Sequence, residues 1–112
     1  MEIKDLNEYQ ELSKRTMPKT SDMAKANYAL GFVAEAGEVG DIIKKEVFHG
    51  HAPDREAVKG ELGDTLHYLA GLATLYGLTL QEVAEGNVRK LRTRYPTGFN
   101  ATDSMKRVDT LG

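Results

Sequence analysis

Four carboxylates fall at helical spacing in two pairs: Glu35-Ala36-Gly37-Glu38 is an E-x-x-E, and Glu61-Leu62-Gly63-Asp64 is an E-x-x-D. Residues three apart share a helix face, so each pair sets two carboxylates side by side. The breaker His49-Gly50-His51-Ala52-Pro53 separates the pairs, and helices joined by so short a turn run antiparallel. The first pair is centred about 14 residues before the breaker and the second about 11 after it, which at 1.5 Å per residue is a mismatch of ~4–5 Å, under one turn. Four acids are therefore expected to converge at one level of a helical hairpin. Such charges either take up protons, with strongly raised pKa values, or hold a cation. Oxygen-only ligands favour a hard ion, Mg²⁺ with Mn²⁺ as a substitute, and leave positions for water and phosphate oxygens. A single E-x-x-E is usually a solvated face. Two pairs at matching depth, each embedded in glycine and apolar residues, argue for more. Asp41, one turn past Glu38, either joins the cluster or pairs with Lys44 or Lys45.

A second group lies downstream. Asn87, Lys90, Arg94 and Tyr95 are spaced i, i+3, i+7, i+8, and the stretch from Val88 to Asn100 holds Arg89, Lys90, Arg92 and Arg94 with no acid. Cations near a helix C-terminus complement the dipole, which accounts for Arg89 and Arg92. Asn87 and Lys90 share a face and, with an acidic metal cluster nearby, suit an anion bridged by the metal. A polyphosphate is the simplest such anion, taking metal on one side and Lys or Arg on the other.

The elements that must position these groups read as helices. Ile3, Leu6, Tyr9 and Leu12 recur every three residues, with Asp5 and Glu8 at capping-box spacing, until Met17-Pro18. Thr20, Ser21 and Asp22 are candidate N-caps for a second helix running through Leu30, Val33, Val39, Ile42 and Ile43 to about Phe48. Pro53-Asp54 opens a third, striped by Leu62, Leu66, Leu69, Ala70, Ala73 and Leu75, and Gly77 is placed to close it. Thr79-Leu80-Gln81-Glu82 is a capping box for a fourth, with Val83, Val88 and Leu91 expected inward, ending before Tyr95-Pro96. No alternating strand pattern appears. The expected fold is all-α, a bundle of about four helices that oligomerises. One domain is expected over residues 1–99, with an N-terminal helix over 1–18 and core helices over 21–94, leaving 100–112 as a flexible tail. Gly31, Gly37, Gly40, Gly60, Gly63 and Gly71 interrupt the second and third helices, each at a cost of roughly 1 kcal/mol relative to alanine. That cost suggests close approach of helix backbones or of a ligand around them.

Composition narrows the classes. The chain has 112 residues, 17 Asp plus Glu against 15 Lys plus Arg, and no cysteine. Thiolate zinc sites, disulfide scaffolds and cysteine nucleophiles are excluded, and a reducing, cytoplasmic setting is expected. A net charge of −2 argues against a dedicated duplex-DNA binder. The charged first helix does not read as a signal peptide, and no window approaches the ~20 apolar residues of a membrane helix. With so small a core, a second subunit is expected to complete the pocket.

Taken together, these motifs resemble the MazG-like nucleoside triphosphate pyrophosphohydrolases over about residues 23–99. The resemblance rests on Glu35-x-x-Glu38, Glu61-x-x-Asp64 in the form Glu-Leu-Gly-Asp, Asn87-x-x-Lys90, and Arg94-Tyr95-Pro96-x-Gly98-Phe99. It implies a helical homodimer or homotetramer converting an NTP or dNTP to the monophosphate and pyrophosphate, in the manner of a house-cleaning enzyme for non-standard nucleotides. It also implies that the four acids hold Mg²⁺, with Glu38, Glu61 and Asp64 as direct ligands and Glu35 as ligand or base. Lys90 and Arg94 would then clamp phosphate, Asn87 would position phosphate or sugar, and Tyr95 would complete the substrate-binding group. Some relatives carry a doubled glutamate where Ala34 precedes Glu35 here, so Glu35 or Glu38 must combine roles. Base and sugar selection would fall to residues such as Met23, Asn27, Tyr28, His67, Tyr68 and Phe99.

Two rivals stand beside this reading. A di-iron carboxylate bundle uses paired E-x-x-H motifs; Glu46-x-x-His49 matches, but Asp64-x-x-His67 only approximates the second. A non-catalytic helical interaction module would leave the carboxylates as a solvated stripe.

Overall fold

A computed structural model describes residues 1–18 and 22–107, with Asp22 described in its backbone only. The chain falls into two compact units, Met1–Thr79 and Leu80–Gly112. The candidate caps Thr20 and Ser21 lie outside the described residues. Among the described residues all regular structure is helical, without a β-strand, and no helix is long and apolar enough to cross a membrane.

In the first unit, α1 spans Leu6–Ser13 and runs into a short 3₁₀ turn over Lys14–Thr16. The Asp5 carboxylate caps it by accepting from the Glu8 backbone N–H at 2.8 Å, and Glu8 accepts from the Lys4 N–H at 3.0 Å. The Asp5 bond is the cap that the spacing predicts, while Glu8 reaches one residue further back than a capping box requires, to Lys4 in place of Asp5. The long helix α2 runs over Asp22–Phe48 and α3 over Arg55–Leu75. Asp54 caps α3 through the Ala57 N–H at 3.0 Å. At its other end Gly77 adopts φ +69°, and Gly77 N–H donates to Thr74 while Leu78 N–H donates to Ala73. That pair of bonds is a Schellman closure, which requires the left-handed residue glycine tolerates.

The cross-contacts show that α2 and α3 are antiparallel. Lys25, near the start of α2, lies over the Tyr76 ring just past α3, Tyr28 meets Tyr68, and Glu35 meets Glu61. Ala24, Tyr28, Ala70 and Ala73 are buried between them. Gly31 and Gly71 are seats for aromatic rings: a methyl group at Gly31 would enter the Tyr68 ring, and one at Gly71 the Tyr28 ring. At Gly31 and Gly71 the expected close approach is made by aromatic rings. Gly37, Gly40, Gly60 and Gly63 face open space.

Helix α1 is tied to α3 by polar contacts. Gln10 is buried and its amide donates to Thr74 Oγ1 at 3.0 Å and to the Leu78 carbonyl at 2.9 Å. Gln10→Ala removes both bonds and leaves acceptors enclosed, so a loss of about 1–3 kcal/mol is expected in a urea unfolding titration.

In the second unit, α4 spans Leu80–Arg94 and α5 spans Ala101–Lys106. The short helix α5 lies within the stretch 100–112 expected to be a flexible tail. Asn100 caps it, its side-chain oxygen accepting from the Asp103 N–H at 2.7 Å. Six residues are too few to show apolar periodicity, so only the cap marks it. The apolar stripes are only partly covered within the single chain. Leu30, Val33, Leu62, Leu66, Val83, Val88 and Leu91 are exposed in the single chain.

Candidate metal centre

Glu35 on α2 meets Glu61 and Asp64 on α3. One carboxylate oxygen from each lies within 4.8 Å of the others. Two features of the local sequence bring this about. The α2–α3 connection is short, so the two levels match. The Tyr28 and Tyr68 rings, seated on Gly71 and Gly31, fix the rotation of each helix one to two turns below the acids. Glu35 and Glu61 are half-buried and Asp64 is exposed, so the group has one side in the protein and one open to solvent.

The electrostatics are those of an unneutralised acidic cluster. The Glu61 carboxyl is pushed above its ordinary value of 4.5, first by the Glu35 carboxyl alongside it, which favours a shared proton. Burial and the negative charges of Glu35 and Asp64 act in the same direction. The Glu61 Oε2 atom is enclosed and has no hydrogen-bond partner. Buried carboxylate oxygens are nearly always paired, and an orphaned one facing two other carboxylates is the setting a cation satisfies. The donor set is all oxygen, which suits a hard divalent ion.

The other predicted residues are distributed as follows. Glu38 is exposed and is not among the three converging acids. Asp41 pairs with Lys45 at 2.8 Å and Lys44 at 3.7 Å, so it belongs to the surface of α2. The hydrogen bond from Lys45, followed by the two lysine charges, holds its pKa below the usual carboxylate value. Asn87 and Lys90 are exposed on α4, three residues apart on one face. Arg94 and Tyr95 follow, half-buried, with the Arg94 guanidinium 5.8 Å from the Tyr95 ring centre and Phe99 against the other side of that turn at 5.1 Å. Gly98 at φ +94° closes the turn, its N–H donating to Tyr95. These four form a group within the second unit.

No histidine joins the acidic group. His67 is engaged elsewhere: its Nδ1 is 2.7 Å from Ser13 Oγ, and its ring packs on Tyr28 and Tyr68 at 6.0 and 5.2 Å. His49 and His51 are exposed beyond the end of α2. The paired E-x-x-H arrangement of a di-iron bundle is therefore not assembled among the described residues.

Sequence reasoning missed one feature. A cleft of about 450 Å³ opens between α1 and α3, lined by Met1, Ile3, Tyr9, Leu12, Ser13, Thr16 and His67. Its polar edge is the Ser13–His67 pair, whose members are separated by 54 residues, so no local signal announces it.

Similarity to known proteins extends over most of the chain. A family model for the MazG nucleotide pyrophosphohydrolase domain matches residues 24–99. The Gene 37 protein of Mycobacterium phage L5 is 33% identical over 73 residues, which cover 62% of this chain. The matched stretch spans 64% of that phage protein's length. No solved structure matches. The family match takes in the carboxylate hairpin and the basic end of α4 and covers most of the chain, which therefore belongs to the MazG nucleotide pyrophosphohydrolase domain family.

Proposed function

We propose that the protein is a Mg²⁺-dependent pyrophosphohydrolase that cleaves an NTP or dNTP to the monophosphate and pyrophosphate. The observation that carries this reading is the convergence of Glu35, Glu61 and Asp64 around an orphaned Glu61 oxygen. Those three residues would hold the cation, with Mn²⁺ as a substitute, and Glu38 would stand as a fourth ligand or as the base. When bound, the cation offsets phosphate charge and makes water more acidic. Water attacks a phosphorus of the triphosphate in line, its proton passes to Glu35 or Glu38, and the anhydride P–O bond breaks as pyrophosphate leaves. Lys90 and Arg94 would hold phosphate oxygens, Asn87 would bond phosphate or sugar, and Tyr95 would keep Arg94 in place. The reading extends to a homo-oligomer, dimer or tetramer, acting in the cytoplasm on free nucleotides and not on duplex nucleic acid.

Two measurements test it. Screening the NTPs and dNTPs with Mg²⁺ for released pyrophosphate should find at least one substrate. Mg²⁺ with that nucleotide, or a non-hydrolysable analogue, should raise the thermal midpoint, because ligand binds only the folded chain. A hundredfold excess over Kd corresponds to about 2.7 kcal/mol. No release and no shift across the panel would leave the non-catalytic helical module as the better account.

A further inference from the structure

The connection between α2 and α3 carries two of the chain's three histidines, His49 and His51, with one glycine between them. The backbone presents them together. His49 N–H and His51 N–H both donate to the Lys45 carbonyl, at 3.0 and 3.1 Å. Gly50 between them takes φ +73°, a left-handed conformation that favours glycine. The two rings come to 6.5 Å between centres with a tilt of 58°. Both side chains are exposed, and neither ring has a hydrogen-bond partner among the described residues. Packing and hydrogen bonding account for His67, whereas nothing in the fold calls for an imidazole at position 49 or 51.

We propose that His49 and His51 chelate a borderline transition-metal cation such as Zn²⁺ at the end of the α2–α3 hairpin. Neutral imidazole suits Zn²⁺, Cu²⁺ and Ni²⁺ and is a poor match for Mg²⁺. Two imidazoles sharing one tetrahedral ion through nitrogens at about 2.0–2.1 Å bring their ring centres to roughly 5 Å. From 6.5 Å that is a shift of roughly 1–2 Å, within reach of side-chain torsions on exposed residues. The shared carbonyl and Gly50 already fix the backbone of the turn, so binding has little order left to impose. The pair also lies at the C-terminal end of a 27-residue helix, where the dipole favours positive charge. Lys44 and Lys45, one turn back, are both paired with Asp41, which limits their repulsion of a cation. No carboxylate completes the site: among the described residues the three-residue group close enough to share one ion is Glu35, Glu61 and Asp64. Water fills the remaining positions, which stay open to exchange. The hairpin thus sorts two kinds of ion by donor chemistry, oxygen donors near its middle and nitrogen donors at its end. Glu35 and His49 are 14 residues apart, about 21 Å along a helix. The proposal stands apart from the chemistry assigned to the carboxylates.

Titration of the full chain with Zn²⁺ in a calorimeter, at saturating Mg²⁺ and without nucleotide, tests it. The unaltered chain should take up Zn²⁺, and the ring resonances of His49 and His51 should shift while those of His67 stay in place. Losing a group that merely supports a ligand costs a metal site about 10–100-fold in affinity, so His49→Ala and His51→Ala, each removing one of two direct ligands, should weaken this binding by at least about tenfold. Both positions are exposed, and unchanged helical circular dichroism verifies that the variants fold. Glu61→Gln, which disables the oxygen centre, should bind Zn²⁺ at the histidines with undiminished affinity. No uptake by the unaltered chain, uptake undiminished by either histidine substitution, or uptake lost in Glu61→Gln would each overturn the proposal.

Discussion

Glu61→Gln is expected to abolish Mg²⁺-dependent pyrophosphate release while leaving the helical circular dichroism intact. Glutamine keeps the shape of the side chain but removes the charge from the group at the centre of the cluster. Loss of one electrostatic stabiliser at a reacting centre costs on the order of 10²–10³ in rate. The same change should make the metal-free protein more stable at neutral pH, and the sign follows from the pKa. The folded state raises the Glu61 pKa above 4.5, so it binds the proton more tightly than the unfolded chain does. The Glu61 contribution to stability is therefore greatest below pH 4.5, declines as pH rises through the folded value, and stays lowered above it. Glutamine has no such slope. Thermal midpoints of the metal-free wild type and variant should diverge as pH rises from 4 to 8, and Mg²⁺ should restore the wild type alone. Retained turnover in Glu61→Gln would remove Glu61 from the site; parallel pH profiles would remove the electrostatic account.

Much of this arrangement is legible from local sequence because its causes are local. Asp5 with Glu8, Asp54 and Gly77 mark helix ends through bonds to residues a few positions away. The meeting of Glu35 with Glu61 and Asp64 follows from counting residues to and from a short connection. What counting along the chain does not supply is the rotation of each helix about its axis. Residues three apart differ by about 60° around the axis: Glu61 and Asp64 both reach the cluster, whereas on α2 Glu35 turns toward α3 and Glu38 toward solvent, in keeping with the tyrosine rings seated on Gly31 and Gly71. The same rotation turns Leu30 and Val33 outward, although their spacing alone suggested a core stripe. The Ser13–His67 pair is hidden for a related reason: neither residue predicts the other across 54 positions.

Because it seats the Tyr28 ring, Gly71 is the residue whose loss should matter most to the scaffold. Glycine to alanine inside an exposed helix gains about 1 kcal/mol. Gly60, which meets nothing within 4 Å, should show that gain. It would appear as a midpoint rise of about 4–8 °C for a domain near this size. At Gly71 the identical substitution should reverse sign. The new methyl group would lie inside the Tyr28 ring, and that ring is 3% exposed with Tyr68 and His67 packed around it. It cannot swing aside without moving its neighbours, and overpacking of this kind costs about 1–3 kcal/mol. With a contact this close the upper end applies, so a net loss near 2 kcal/mol is expected after the ~1 kcal/mol helix gain. Tyr28→Leu should suppress most of the loss in a double-mutant cycle, since it removes the ring that the methyl group meets. If Gly71→Ala is instead as stabilising as Gly60→Ala, the ring does not key the helices together. The functional consequence separates packing from global destabilisation. Where Gly71→Ala still folds, displacement of Tyr28 should rotate Glu35 away from Glu61 and blunt the rise in midpoint on adding Mg²⁺, whereas Gln10→Ala, which loosens α1 without touching that ring, should leave the Mg²⁺ response in place.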